Sequence, residues 1–280
     1  MDRELVLAIL SSLLCGGALM ACAPWATDLP DPVNAISAER QAWRRLWLPF
    51  VPALLVLGAL AGWAINEPAA AERVPNGLLW AAVPFGLLFF RAGLQVIRGL
   101  CPKRYELSAA TVGLFRPRIV ISPRIMESLD ATGLRAVVEH EKAHARHFDP
   151  LRLWLAQLAT EMLWPWPAPV ARLVCWKRML ELARDEEARR HGVPGPDLAA
   201  AILTSLRLNS TPQRASATLG GDQAFVQQRI ARLLRPLDAA APVKHSSWLR
   251  LGAFALIVGL AIVAGNTFGE QVVRALFAFA

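Results

Sequence analysis

The sequence predicts a mainly α protein in which four transmembrane helices frame an inserted α+β domain. Three observations predict it. The chain is 55% hydrophobic with a mean hydropathy of +0.36, too apolar for an ordinary soluble domain. Four apolar runs, Leu5–Ala23, Leu46–Ile65, Leu78–Ile97 and Leu249–Phe268, each approach the roughly 20 residues a helix needs to cross the hydrocarbon core. Between the third and fourth runs, strand-like and helix-like patterns surround the segment His140-Glu141-Lys142-Ala143-His144. The expected division is a three-span module over 1–98, an inserted domain over 99–244, and a last span with a short tail over 245–280.

The first run follows a polar start, Met1-Asp2-Arg3-Glu4, and ends Leu19-Met20-Ala21-Cys22, which looks like a lipoprotein cleavage site. Charge bias favours a retained span instead. The first loop holds Arg40, Arg44 and Arg45, the second only Arg73, and the third run leads into Arg98, Lys103 and Arg104. By the positive-inside rule the first loop and the inserted domain are expected to be cytoplasmic, with the N-terminus, second loop and C-terminus outside. The second run carries no charge, and the fourth none beyond Arg250 at its start. The third contains Arg91 and Gln95, and a long Arg near a span's end can snorkel to the interface.

The inserted domain opens with Thr111–Phe115 and Ile119–Ser122, two short β-branched stretches around Arg116-Pro117, expected as strands around a turn. A free strand edge beside the HExxH segment can hold an extended peptide by backbone pairing. Asp130 or Thr132 can cap the next helix, whose Leu134, Val137 and Val138 lead to His140. Pro150 suits the first turn of a second helix, Leu151–Trp164, which stops at Trp164-Pro165-Trp166-Pro167-Ala168-Pro169. A third helix carries Glu181 and Asp185 and ends near His191-Gly192. Asn209–Asp222 reads as an exposed, turn-rich linker before a helix over Gln223–Leu234.

The chemistry lies in the HExxH segment. On a helix His140 and His144 stand one turn apart on one face, so both imidazoles can reach a single metal ion. Zinc suits such a site, since its catalytic sites use three protein ligands and a water. Glu141 is placed to take a proton from that water as it attacks a carbonyl. With only five His in 280 residues, a chance match is improbable. Glu181 can complete a His, His, Glu ligand set, with Glu186 or Glu187 as alternatives. Asp185, at i+4 from Glu181, can accept the free ring N–H of His140 and fix its tautomer. The bland reading of the same stretch is a solvated acidic face, since Arg178, Arg184, Arg189 and Arg190 are ready ion-pair partners. His147 and His191 are candidates for stabilising an oxyanion; Tyr105, the only tyrosine, fits packing better.

Other functions fit less well. Cys15, Cys22, Cys101 and Cys175 show neither metal-ligand spacing nor a disulfide framework. The net charge of +8 is spread over loops and several helices without a nucleic-acid-binding motif. An anionic lipid surface explains it more simply, and no direct nucleic-acid binding is expected.

The segments Gly113-Leu114-Phe115-Arg116-Pro117-Arg118-Ile119-Val120 and Ser122-Pro123, then Glu139 through His144 with Arg146 and Asp149, Trp164 to Pro167 and Glu181 through Glu186, resemble the BlaR/MecR-type integral-membrane zinc metallopeptidases, the antibiotic-sensing antirepressors and their relatives. The resemblance covers about residues 100 to 236. It implies a gluzincin-like fold in a bacterial inner-membrane protein with a cytoplasmic site. It also implies Zn2+ held by His140, His144 and Glu181, Glu141 as catalytic base, a substrate such as a transcriptional repressor, and self-cleavage within Asn209–Asp222. Members that sense β-lactams carry a large extracellular domain after the last span, and this sequence shows none, so antibiotic sensing is not expected. The HtpX-type membrane proteases share the HExxH and ExxxD logic and imply a quality-control protease as the alternative. A third reading, a catalytically silent zinc-binding scaffold, is opposed by the intact Glu141.

Overall fold

A computed structural model of the chain describes residues 34–51, parts of 55–98, 109–163, 167–209, 219–237 and 247–278. These form eight helices and one two-stranded sheet: α1 (Ala35–Trp47), β1 (Ala109–Val112), β2 (Arg118–Ile121), α2 (Pro123–Ser128), α3 (Ala131–Arg146), α4 (Asp149–Met162), α5 (Pro167–Arg190), α6 (Gly195–Asn209), α7 (Leu219–Leu233) and α8 (Ser247–Ala278). Tyr105, Cys15, Cys22, Cys101, residues 164–166 and most of the expected linker lie outside the described residues.

The strands pair antiparallel with Ala109 opposite Ile121 and Val112 opposite Arg118. Gly113 makes the turn possible: it sits at φ 95°, and a Cβ there would meet the Arg116 carbonyl oxygen at 2.6 Å. Both strands pack on α3. Asp130 is the cap of α3, accepting from the Gly133 N–H at 2.8 Å, and that bond holds its carboxyl below the usual value. The buried face of α3 runs through Gly133, Ala136, Val137, His140, Glu141, Ala143 and His144, so the same stripe that packs the helix carries the HExxH side chains inward.

Two cores flank that helix. One joins α3, α5, α6 and α7 through Ala136, Ala188, Val193, Leu198, Ala199 and Leu233. The other joins α1, α4 and α5 around Trp176, Leu180 and Ala183. Its first member is unexpected. Residues 35–47 read as a charged loop, yet they form a helix whose buried positions, Ala35, Ala38, Glu39, Ala42 and Leu46, follow helical spacing along one face. Asn34 caps it, accepting from the Ser37 N–H at 2.9 Å, while Arg44 and Arg45 suit its C-terminal end. Trp43 packs on Trp176 with ring centroids 4.8 Å apart.

The mainly helical class with a small sheet stands, but the four-span part of the expected fold does not. Among the described residues no helix is long and apolar enough to cross a membrane. The first apolar run lies outside the described residues, and the second and third are described only in part. The fourth run lies within α8, a 32-residue helix. Arg91, expected to snorkel to a lipid interface, instead pairs with Glu161 of α4 at 2.5 Å.

Candidate metal centre

Helices α3 and α5 bring His140, His144 and Glu181 together, with one ligand atom from each lying within 4.8 Å of the others. The His140 and His144 Nε2 atoms are 3.1 Å apart. Glu181 Oε2 is 3.6 Å from the first and Oε1 is 3.7 Å from the second. These are close to the edges of a tetrahedron with bonds of roughly 2.0–2.2 Å, about 3.4 Å each.

The outer nitrogens fix the tautomers. His144 Nδ1 is 2.8 Å from Asp149 Oδ2, and His140 Nδ1 is 3.0 Å from Asp185 Oδ1. The second contact has the distance of a hydrogen bond without its full alignment. Ionised carboxylates only accept, so both Nδ1 atoms carry the proton and both Nε2 lone pairs face the same point. Two lone pairs 3.1 Å apart beside a carboxylate repel one another unless a cation lies between them. A metal ion fits this donor set, with His140, His144 and Glu181 as the residues that would hold it. Without one, the pocket favours a proton. Burial pushes the His140 imidazole down, but Asp185 and Glu181 outweigh it and raise it to about 10.

The surrounding charges are organised to keep these carboxylates ionised. Burial raises Glu181, yet Arg229 and the two imidazoles hold it well below the usual carboxylate range. Arg229 of α7 lies 3.0 Å from Glu181 Oε2 and donates to both oxygens of Asp185 at 2.8 Å, holding that carboxyl low as well. Asp149 is almost fully buried; burial raises it, but hydrogen bonds with His144 and Arg184 hold it at about 2. Arg184 donates to it from Nε at 2.5 Å and from Nη2 at 2.9 Å.

Glu141, also buried on α3, is held from the sheet side. The Thr111 hydroxyl of β1 is 2.8 Å from Glu141 Oε2 and 2.9 Å from its backbone carbonyl oxygen. The alternatives to Glu181 point elsewhere. Glu186 accepts from the Ala35 N–H, Arg190 and Arg232. Glu187 pairs with His147, Arg146 and Arg184, which bring it down to about 2 against the rise from burial. His147 is exposed and engaged with Glu187 at 2.8 Å, and His191 donates from Nδ1 to the Glu187 carbonyl oxygen. Neither is brought to the HExxH residues.

Thr111, Asp149, Arg184 and Arg229 were not singled out as site residues from sequence. Only Asp149 carried a local signal, five residues beyond His144 and directly before Pro150. Its return to His144 depends on Phe148, which adopts φ 52° and ψ 40°, a left-handed turn that reverses the chain between α3 and α4.

A helix presenting HExxH inward, a Glu from a second helix and a small flanking sheet define a peptidase of the HExxH class. Residues 108–233 match the family model described as BlaR1 peptidase M56, and the domain they form belongs to that family. No curated protein and no solved structure matches the chain.

Proposed function

We propose that this chain is a membrane-associated zinc endopeptidase that cleaves a partner protein, and its own 209–222 segment, in response to a signal. The observation that carries this reading is the convergence of two imidazole Nε2 atoms and the Glu181 carboxylate beside a buried Glu141. Zinc, when bound there, supplies Lewis acidity toward the scissile carbonyl and its attacking water. Glu141 takes the proton of that water and passes it to the leaving amine. Thr111 keeps one Glu141 oxygen oriented, and Asp149 and Asp185 hold the two imidazoles in the required tautomer. The third of the Glu181 side chain that stays exposed marks the open side of the site, where a substrate can approach.

A transcriptional repressor is the substrate class supported by the similarity of residues 100 to 236 to antirepressor peptidases. The apolar composition supports membrane association. Glu141→Gln tests the chemistry. It removes the base and leaves every proposed ligand, so zinc content should match wild type while proteolysis is abolished. Proteomics of cytoplasmic and membrane fractions from cells with either chain would identify the substrate by its intact form in the variant. Cleavage by Glu141→Gln at the wild-type rate would refute the reading.

A further inference from the structure

Helix α1 lies outside the residues that match the peptidase family, yet it is tied by charge to the metal centre. Glu39, buried on α1, accepts from Arg152 Nη2 at 2.5 Å and from the Trp176 indole N–H at 2.9 Å. Arg152 stands 113 residues away in sequence. Its guanidinium is covered by the Trp43 ring at 4.5 Å and approached by Trp176 at 5.4 Å. From its other nitrogen, Nη1, it donates to Asp149 Oδ1 at 3.0 Å. The opposite Asp149 oxygen holds His144 Nδ1. One continuous series, Glu39–Arg152–Asp149–His144, therefore runs from α1 to a proposed ligand.

Each link has a physical reason to transmit position. Glu39 is a carboxylate with only 3% of its surface exposed, and burying a carboxylate without a partner cation is costly, so Arg152 and Glu39 hold each other in place. Arg152 is planar and forked, and it spans two carboxylates in a way a lysine cannot. Trp43 and Trp176 restrict the guanidinium from its faces. The N-terminus of α1 is pinned separately, where the Ala35 N–H donates to Glu186 of α5 at 2.9 Å. The small buried residues Ala35, Ala38 and Ala42 let the helix lie close on α5.

We propose that α1 is a positioning strut of the peptidase site: Glu39 and Trp43 set Arg152, Arg152 sets Asp149, and Asp149 sets the His144 imidazole. A displacement of α1 then loosens one ligand without touching the site itself, which gives events in the N-terminal part of the chain a direct route to the metal centre. The proposal rests on the metal-centre reading above and assigns Glu39 no contact with substrate.

The test uses the full chain and titration of zinc against a chromophoric chelator, beside thermal unfolding of the metal-free form. Glu39→Gln keeps an acceptor for Trp176 but removes the charge facing Arg152. It should weaken zinc binding roughly 3- to 10-fold, less than loss of a direct ligand partner. Leu46→Ala loosens the same helix without breaking the series; it should lower the melting temperature and leave zinc affinity unchanged. Adding Glu39→Gln to Arg152→Lys should weaken binding no further than Arg152→Lys alone, because one route carries both effects. Should Glu39→Gln not fold, Arg152→Lys decides by itself, since it keeps a charge but cannot bridge both carboxylates. Wild-type affinity in the deciding variant, or an equal loss in Leu46→Ala, overturns the proposal. Glu181→Ala in the same titration separates the two readings: if it binds zinc like wild type, the metal-centre reading has failed. A loss there with none in Glu39→Gln defeats only the strut.

Discussion

Asp149→Asn would expose how much of the metal centre is carried by a residue that touches no metal. The substitution preserves shape and removes charge. In the folded chain the Asp149 carboxylate receives Arg184 Nε and Nη2, Arg152 Nη1 and His144 Nδ1, all at 2.5–3.0 Å, with 1% of its surface exposed. An amide has one oxygen for these four donors and turns an NH2 toward the rest. Two magnitudes follow. The depression of the carboxyl from 3.8 to about 2 corresponds to about 2 kcal/mol in favour of the charged form. Leaving the buried Arg184 without its main counter-charge costs about 3–5 kcal/mol in comparable buried pairs. The larger figure also counts the stranded cation, so a loss of about 2–5 kcal/mol brackets the effect. Against a typical domain stability of about 5–15 kcal/mol, the variant is weakened but can remain folded. The second consequence is at His144, whose Nδ1–H loses its anchor; zinc affinity should fall about 10- to 100-fold. Urea unfolding of the metal-free chain measures the first effect, and chelator competition measures the second. A variant that unfolds at the wild-type urea concentration and binds zinc with wild-type affinity would refute the argument.

Two further outcomes are expected. Glu181→Ala should lose most zinc binding, while Asp185→Ala should weaken it about 10- to 100-fold by freeing His140, both read by metal content after dialysis; unchanged content in Glu181→Ala would remove it from the ligand set. Acid should destabilise the metal-free chain in a defined window. Asp149 and Glu187 each sit at about 2 when folded, below ordinary values of 3.8 and 4.5, so their contribution is present above about pH 4.5 and is lost as pH falls toward 2. A urea midpoint that stays flat from pH 5 to 2.5 would contradict that account.

Much of the site was legible in the sequence because its elements are local. HExxH places two imidazoles on one face by helical geometry alone, and Glu181 with Asp185 repeats the same logic four residues apart. The α3 cap and Pro150 in the first turn of α4 are equally short-range, and both are present in the fold. What the sequence left open depends on contacts between distant residues. Glu186 and Glu187 were as acidic and as near as Glu181; only the packing of α5 against α1, α3 and α7 turned them toward Ala35, Arg232, His147 and Arg146. Thr111, Arg184 and Arg229 have no local signature, since their meaning lies in carboxylates 30 to 44 residues away. Residues 35–47 look like a charged loop because Arg40, Arg44 and Arg45 dominate their composition, whereas the alanine face that defines α1 becomes decisive only against α5. Hydropathy, in turn, counts apolar residues along the chain, and the expected four spans are not supported: among the described residues no helix is long and apolar enough to cross a membrane. Sequence determines chemistry where one helical turn suffices; the folded chain decides which of several equivalent carboxylates faces the two imidazoles, because a buried charge goes where its partner is.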